Sequence, residues 1–189
     1  GLGAVGGRQG DELAAMIYLR RQQGRPSEAV PLVQQALASG VVGAYVWNAA
    51  LAMLLTEADR LDEASLPFRM ATAEYRNHRV DVALLPVGAT LATVAADLDD
   101  VEVAGWLYTQ LAAHAEFVAS WGSVGCVGPV SLALGRLASC LDHTDQADAH
   151  LSAAVDWARE QRTPYHLAEG LLYRATNLLR RNEPGDRDA

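Results

Sequence analysis

Ala29, Ala64, Ala104 and Ala147 recur at separations of 35, 40 and 43 residues, and each carries similar neighbours with it. A bulky residue follows by four, as Val33, Phe68, Tyr108 and Leu151. A second alanine follows by seven at Ala36, Ala71 and Ala154. Twelve and thirteen residues before the last three alanines stands a leucine with a small neighbour: Leu51-Ala52, Leu91-Ala92 and Leu134-Gly135. Steps of four and seven keep residues on one helical face. Small residues let two helices cross closely, and large ones fill the space beside the crossing. A unit of this length cannot bury its apolar face alone, so it stacks on its neighbours. The pattern therefore predicts an all-α array of antiparallel helix pairs, wound right-handedly.

The clearest unit is Val130 to Arg159. Leu134, Leu137, Ala138 and Leu141 line one helix; Ala147, Leu151, Ala154 and Ala158 line the next. Between them, Asp142-His143-Thr144-Asp145 is expected to turn the chain and cap the second helix, because short polar side chains accept the free N–H groups of a helix start.

Taken in order, the chain predicts nine helices: 11–23, 26–38, 44–57, 61–76, 81–97, 101–120, two in the unit just described, and 165–181. These make four hairpins and one unpaired helix within a single domain, residues 11–182. Gly24 closes the first helix and Pro26 opens the second. The acidic turn Asp97-Leu98-Asp99-Asp100 should cap the helix that follows it. Glycine-rich residues 1–10 are expected to be disordered or an expression remnant. Residues 183–189 read as a tail or the truncated start of another repeat.

Composition narrows the function classes. Half of the residues are hydrophobic, yet apolar and polar residues do not alternate, so strands are not expected. All 15 basic residues are arginine, and the net charge is −8. An acidic chain without clustered cations is a poor nucleic-acid binder and a poor ligand for an anionic membrane. The longest apolar run, Val82 to Ala96, is too short to span a bilayer. No signal peptide is visible, and Cys126 and Cys140 are placed too far apart to bridge, so a reducing cytoplasm is expected.

These residues resemble the tetratricopeptide repeat, whose succession of Leu-Gly, Ala, Phe and Ala is met most closely by Leu134-Gly135, Ala147, Leu151 and Ala154. The family's first-helix aromatic is missing at Leu13, Asn48 and Ser131, and its proline after the second helix is absent. The span from Asp81 to Arg174 is also similar to the C-terminal helical region of large bacterial signalling ATPases, whose ends carry a cyclase or a LuxR-type DNA-binding domain. The stretches WLYTQLAAHAE, GPVSLALGRLA and DQADAHLSAAVDWARE carry that likeness. It implies a tetratricopeptide-like right-handed superhelix within a larger regulator. The nucleotide-binding motifs of that family are not in this chain.

No catalytic motif emerges. Cys140, His143 and His150 fall short of the four ligands of a structural zinc site. The run Gly122 to Gly128 has no lysine and no Walker spacing, and reads as a flexible loop between repeats. Cys126 within it would be reactive only if exposed at a helix start. Ser120 and His114 make no nucleophile arrangement. Trp47, Trp106, Trp121 and Trp157 read as packing residues, with a concave binding surface as the alternative.

The expectation is therefore a non-catalytic interaction and regulatory scaffold without a cofactor, binding a protein or peptide. The alternative is a sensor with an enclosed pocket for a small-molecule effector. A groove should be lined by the first helix of each hairpin, with Tyr45, Asn48, Arg136 and Tyr173 as candidates, being polar or amphipathic on otherwise apolar helices. The last helix lacks a partner. Its apolar stripe, Leu171, Leu172, Ala175, Leu178 and Leu179, should be covered by further chain or by self-association as a homodimer.

Overall fold

The computed structural model describes residues 8–78, 84–121 and 124–181. Among them are nine α-helices: α1 (Arg8–Gln22), α2 (Val30–Ala38), α3 (Ala44–Glu57), α4 (Leu61–Tyr75), α5 (Leu85–Asp97), α6 (Val101–Leu111), α7 (Val130–Cys140), α8 (Thr144–Glu160) and α9 (Pro164–Arg181). A 3-10 turn, Pro26–Glu28, precedes α2, and another, Ala112–His114, follows α6. The fold is mostly helical, as the repeat predicts. None of these helices is long and apolar enough to cross a membrane. α1 begins at Arg8, inside the segment expected to be disordered. Residues 1–7 and 182–189 lie outside the described set, and so does the expected start of the fifth helix at 81–83.

The hairpins share one way of turning. Gly24, Asp59, Asp99 and Asp142 all take left-handed backbone angles, each five residues before a recurring alanine. The next N–H reaches back to the carbonyl five residues earlier: Arg25 to Arg20 at 2.8 Å, and Arg60 to Leu55, Asp100 to Ala95 and His143 to Ala138 at 2.9 Å each. This left-handed closure satisfies the orphan carbonyls at a helix end, and aspartate tolerates it better than bulkier residues do. Ala29, Ala64, Ala104 and Ala147 follow, each fully buried. Asp100 caps α6 as expected, its Oδ1 accepting from the Val103 N–H at 3.0 Å. The expected cap on α8 does not form. The capping position is His143, with no side-chain bond, because Asp142 is spent on closing α7.

Packing follows the hairpins. α3 lies against α4, α5 against α6, α7 against α8, and α8 against α9. α3, α5 and α7 also touch in succession. These central helices are buried almost all round, Val46 to Ala49 and Leu51 to Thr56 in α3 being one example. The small residues stand where they were expected. A Cβ built on Gly135 would lie 2.5 Å from Leu151 Cγ, so α7 and α8 cross with no room for a methyl group.

One expectation fails outright. The helix begun at Val101 stops at Leu111 rather than at 120. Val118–Ser120 (β1) instead pairs antiparallel with Cys126–Pro129 (β2), with an irregularity at Ala119/Ser120. The expected flexible loop is thus in part a two-stranded ribbon packed against α5 and α7. Ala119 is fully buried in that position. Its pairing and burial override the local helix preference of an alanine-rich stretch.

Candidate functional site

The helical period puts a few polar residues on inward faces, and the fold gathers them. Arg21 follows the buried Ile17 by one turn of α1 and is itself buried. Its Nε donates to both carboxylate oxygens of Glu57 on α3, at 2.9 and 3.0 Å. Its Nη2 lies 3.9 Å from Glu169 on α9, and the guanidinium stands 5.9 Å from the centre of the Tyr165 ring. Burial alone would push the Arg21 pKa down; Glu57 reverses this and holds it above its ordinary value. Elsewhere in the array, buried Arg136 on α7 pairs with Asp97 at the end of α5. Its guanidinium stacks 4.0 Å over the Tyr173 ring on α9. Burial raises the pKa values of Tyr18, Tyr165 and Tyr173, so their hydroxyls stay neutral.

The ribbon adds a second set of contacts. The Tyr18 ring of α1 lies against Gly125, just before β2. Gly128 on β2 lies against the His166 ring of α9, where a Cβ would stand 3.4 Å from Nδ1. His166 is buried, and its Nδ1 lies 3.2 Å from Glu169 Oε2. Burial would lower the His166 pKa, but its interactions with Cys126 and Glu169 outweigh it and raise it to about 9. The ring is therefore an imidazolium at neutral pH and donates to Glu169.

Of the four groove candidates, the structure brings Arg136 and Tyr173 into contact. Tyr45 lies in the first turn of α3, stacked on His78 with ring centres 5.1 Å apart. Asn48 is buried within α3. Sequence reasoning missed Arg21, Glu57, Asp97, Tyr165, His166 and Glu169. A signal was present in Arg21 and His166, since both are polar residues at inward positions of the 3.6-residue period, but the candidates were confined to polar or amphipathic residues on otherwise apolar helices, and α1 is not one.

On α9 the inward face is His166, Gly170, Asn177 and Leu178. Leu178, expected on the uncovered stripe, is 5% exposed. It shares a face with Asn177, whose amide nitrogen donates to the Thr144 carbonyl at 2.9 Å and whose Oδ1 accepts from Ser139 at 2.9 Å. The outward stripe is instead Ala168, Leu172, Ala175 and Leu179, with Leu171 beside it. Leu171, Leu172 and Leu179 are 43%, 62% and 72% exposed.

The residues considered for metal do not converge. The Cys140 thiol donates to Asp99 Oδ1 at 3.6 Å, while His150 pairs with the Tyr108 hydroxyl at 3.1 Å. No group of three potential ligands gathers among the described residues. A cleft of about 260 Å³ between α4 and the α5–α6 turn, lined by Ser65, Phe68, Arg69, Leu98 and Asp100, is open to solvent and smaller than most small-molecule pockets. Comparison with family models, with curated proteins and with solved structures returns no match.

Proposed function

We propose that the chain is a non-catalytic interaction scaffold, a tetratricopeptide-like right-handed superhelix that docks another helix along the outward face of α9. The observation that carries this is the α9 stripe. Ala168, Leu172, Ala175 and Leu179 follow one another at steps of four, three and four, the spacing of a helix–helix seam. Other exposed apolar stripes are shorter: Met16 and Leu19 on α1, and Leu66, Met70 and Ala73 on α4. The face presented by Arg136 and Tyr173 is a weaker candidate. A ligand entering there must separate Arg136 from Asp97, and removing one partner from a buried pair costs about 3–5 kcal/mol. Docking on α9 displaces water alone. By its resemblance, the scaffold belongs to a cytoplasmic bacterial transcriptional regulator or cyclase-linked ATPase, and occupancy of the docking face biases the neighbouring domain.

The partner is a helix with a complementary apolar stripe, and a second copy of α9 qualifies. Antiparallel pairing about a two-fold axis between Tyr173 and Arg174 sets Leu172 against Ala175 of the second copy, and Ala168 against Leu179. Large then meets small along the whole seam. Covering three leucines per copy yields roughly 6–10 kcal/mol against an association cost of about 4 kcal/mol or more, a net of at most about 6 kcal/mol, so the dimer is weak, with a Kd no tighter than roughly 40 µM. Sedimentation of the chain up to about 1 mM should show reversible dimers, abolished by L172E with L179E. A chain that stays monomeric throughout that range overturns self-docking.

A further inference from the structure

Glu57 and Asp97 hold the same place in successive repeats, seven residues before Ala64 and Ala104, as the last residues of α3 and α5. Each receives an arginine from another helix, Arg21 and Arg136. Each arginine meets a tyrosine of α9, Arg21 at 5.9 Å from the Tyr165 ring centre and Arg136 at 4.0 Å from that of Tyr173. The two sites differ in what carries the arginine. Arg136 belongs to α7, which is buried almost all round. Arg21 belongs to α1, where, among the described side chains, Ile17, Tyr18 and Arg21 are buried while Met16 and Leu19 are exposed. Glu57 takes the Arg21 fork through Nε and Nη2 together. Glu169 turns Oε1 toward the same fork at 3.9 Å, its Oε2 being held by His166 at 3.2 Å. Two carboxylates and an aromatic ring thus surround one planar cation, and this is the donor–acceptor set that recognises a guanidinium. The Arg21 side chain is 5% exposed, yet Glu57 and Glu169 keep 22% and 21% of theirs open, so both carboxylates are reached from solvent.

We propose that Glu57, Glu169 and Tyr165 form a guanidinium-binding site, that Arg21 fills it from within the chain, and that α1 is a strap whose release opens it to an arginine side chain of a partner protein. Replacing one guanidinium by another leaves neither carboxylate stranded, so the cost of the swap is confined to the contacts of α1. That distinguishes it from plain removal of an arginine, which leaves a buried charge without its partner. The site built on Asp97 is closed to such a swap, because Arg136 cannot leave without taking α7 out of the core. A net charge of −8 draws a cationic partner toward the chain before contact. None of this depends on what docks on the outward stripe of α9.

Ethylguanidinium is the probe, and ethylammonium, of equal charge but without the planar fork, is the control. In the wild type, ~50 mM ethylguanidinium should speed hydrogen exchange of the α1 amides at least ~2-fold, by binding the form in which α1 has let go, and leave α3, α5 and α7 unchanged. In R21A the site has lost its own guanidinium, and the same ion should raise the midpoint of thermal unfolding by about 1–2 °C. Ethylammonium should do neither, and E57Q, alone or combined with R21A, should abolish both responses. If R21A does not fold, hydrogen exchange in the wild type decides alone. Equal responses to the two cations, or α1 amides that exchange as slowly as those of α3 whichever cation is present, overturn the proposal.

Discussion

Gly105 and Gly135 lie inside helices, α6 and α7, and the same substitution should act on them with opposite sign. Alanine in place of an interior helical glycine gains about 1 kcal/mol from propensity and from a less flexible unfolded chain. At Gly105 nothing opposes that gain. The new Cβ meets only Leu141 Cδ2, at 3.8 Å, an ordinary contact. At Gly135 the new Cβ would fall 2.5 Å from Leu151 Cγ, 2.7 Å from its Cδ2 and 3.2 Å from its backbone nitrogen. Leu151 is fully buried and cannot swing away, and the backbone contact yields only if α8 itself moves. Overpacking of this kind costs about 1–3 kcal/mol, and more where backbone must shift, so the net effect is a loss of roughly 1–2 kcal/mol. For a chain of this size G105A should raise the midpoint of thermal unfolding by about 2–4 °C, and G135A should lower it by about as much or more. The assay is thermal and urea unfolding of both variants alongside the wild type, with L151A in the G135A background. Leu151→Ala costs stability in the wild type but should cost much less once the methyl group introduced by G135A fills the space, and that non-additivity identifies the pair. A G135A variant as stabilised as G105A would show that α7 and α8 do not cross at Gly135, and the packing logic drawn from the repeat would fail with it.

Thr72 and Trp47 are buried with Oγ1 and Nε1 lacking partners among the described residues, so T72V, which keeps the shape and removes the orphan hydroxyl, should gain about 1 kcal/mol in urea unfolding. A loss of that size would mean that the hydroxyl is bonded in solution. Arg136→Ala strands Asp97, which is partly exposed, and removes the stack on Tyr173, so it should cost about 2–3 kcal/mol; a double-mutant cycle with Tyr173→Leu should return a coupling of about 1 kcal/mol, and a coupling near zero would remove the cation–π contact as a contributor. His166, faced by Cys126 and Glu169, with Arg21 beyond, holds its proton more tightly folded than unfolded. The stability this contributes is complete below about pH 6.5 and is lost as the pH rises through about 9. H166Q should flatten that alkaline decline, and an unchanged slope between pH 6.5 and 9 would show that His166 is not the group responsible.

Much of the fold could be read from the chain because the physics involved is local and repeated. The left-handed closures at Asp59, Asp99 and Asp142, the buried alanines five residues on, and the narrow crossing at Gly135 each depend on residues within one hairpin. A period of 35 to 43 residues therefore exposes them together. The fifth helix was expected from Asp81, a start outside the described residues; α5 is described from Leu85, with Pro86 in its first turn, where proline fits. The ribbon was not legible. Nothing between Leu111 and Ser120 breaks a helix, and Val118 to Ser120 becomes a strand only because Cys126 to Pro129 lies beside it and α5 packs against it. A contact of that kind exists only once the hairpins on either side are assembled.

The candidate sites divide along the same line. Arg136 and Tyr173 came forward as polar or amphipathic residues on otherwise apolar helices; Arg21, on the largely polar α1, did not stand out in that way. The arginines' partners are not visible, because Glu57 and Asp97 stand on other helices, Arg21 to Glu57 spanning 36 residues and Arg136 to Asp97 spanning 39. Pairing changes what each residue does. An arginine read alone is a free cation ready for an anionic ligand; Arg136 bonded to Asp97 under Tyr173 is a strut whose charge is already answered. Cys140 shows the same dependence on partners: read alone it is a free thiol, but facing Asp99 from inside the core it has that thiol pushed up to about 11 by burial, which holds it inert.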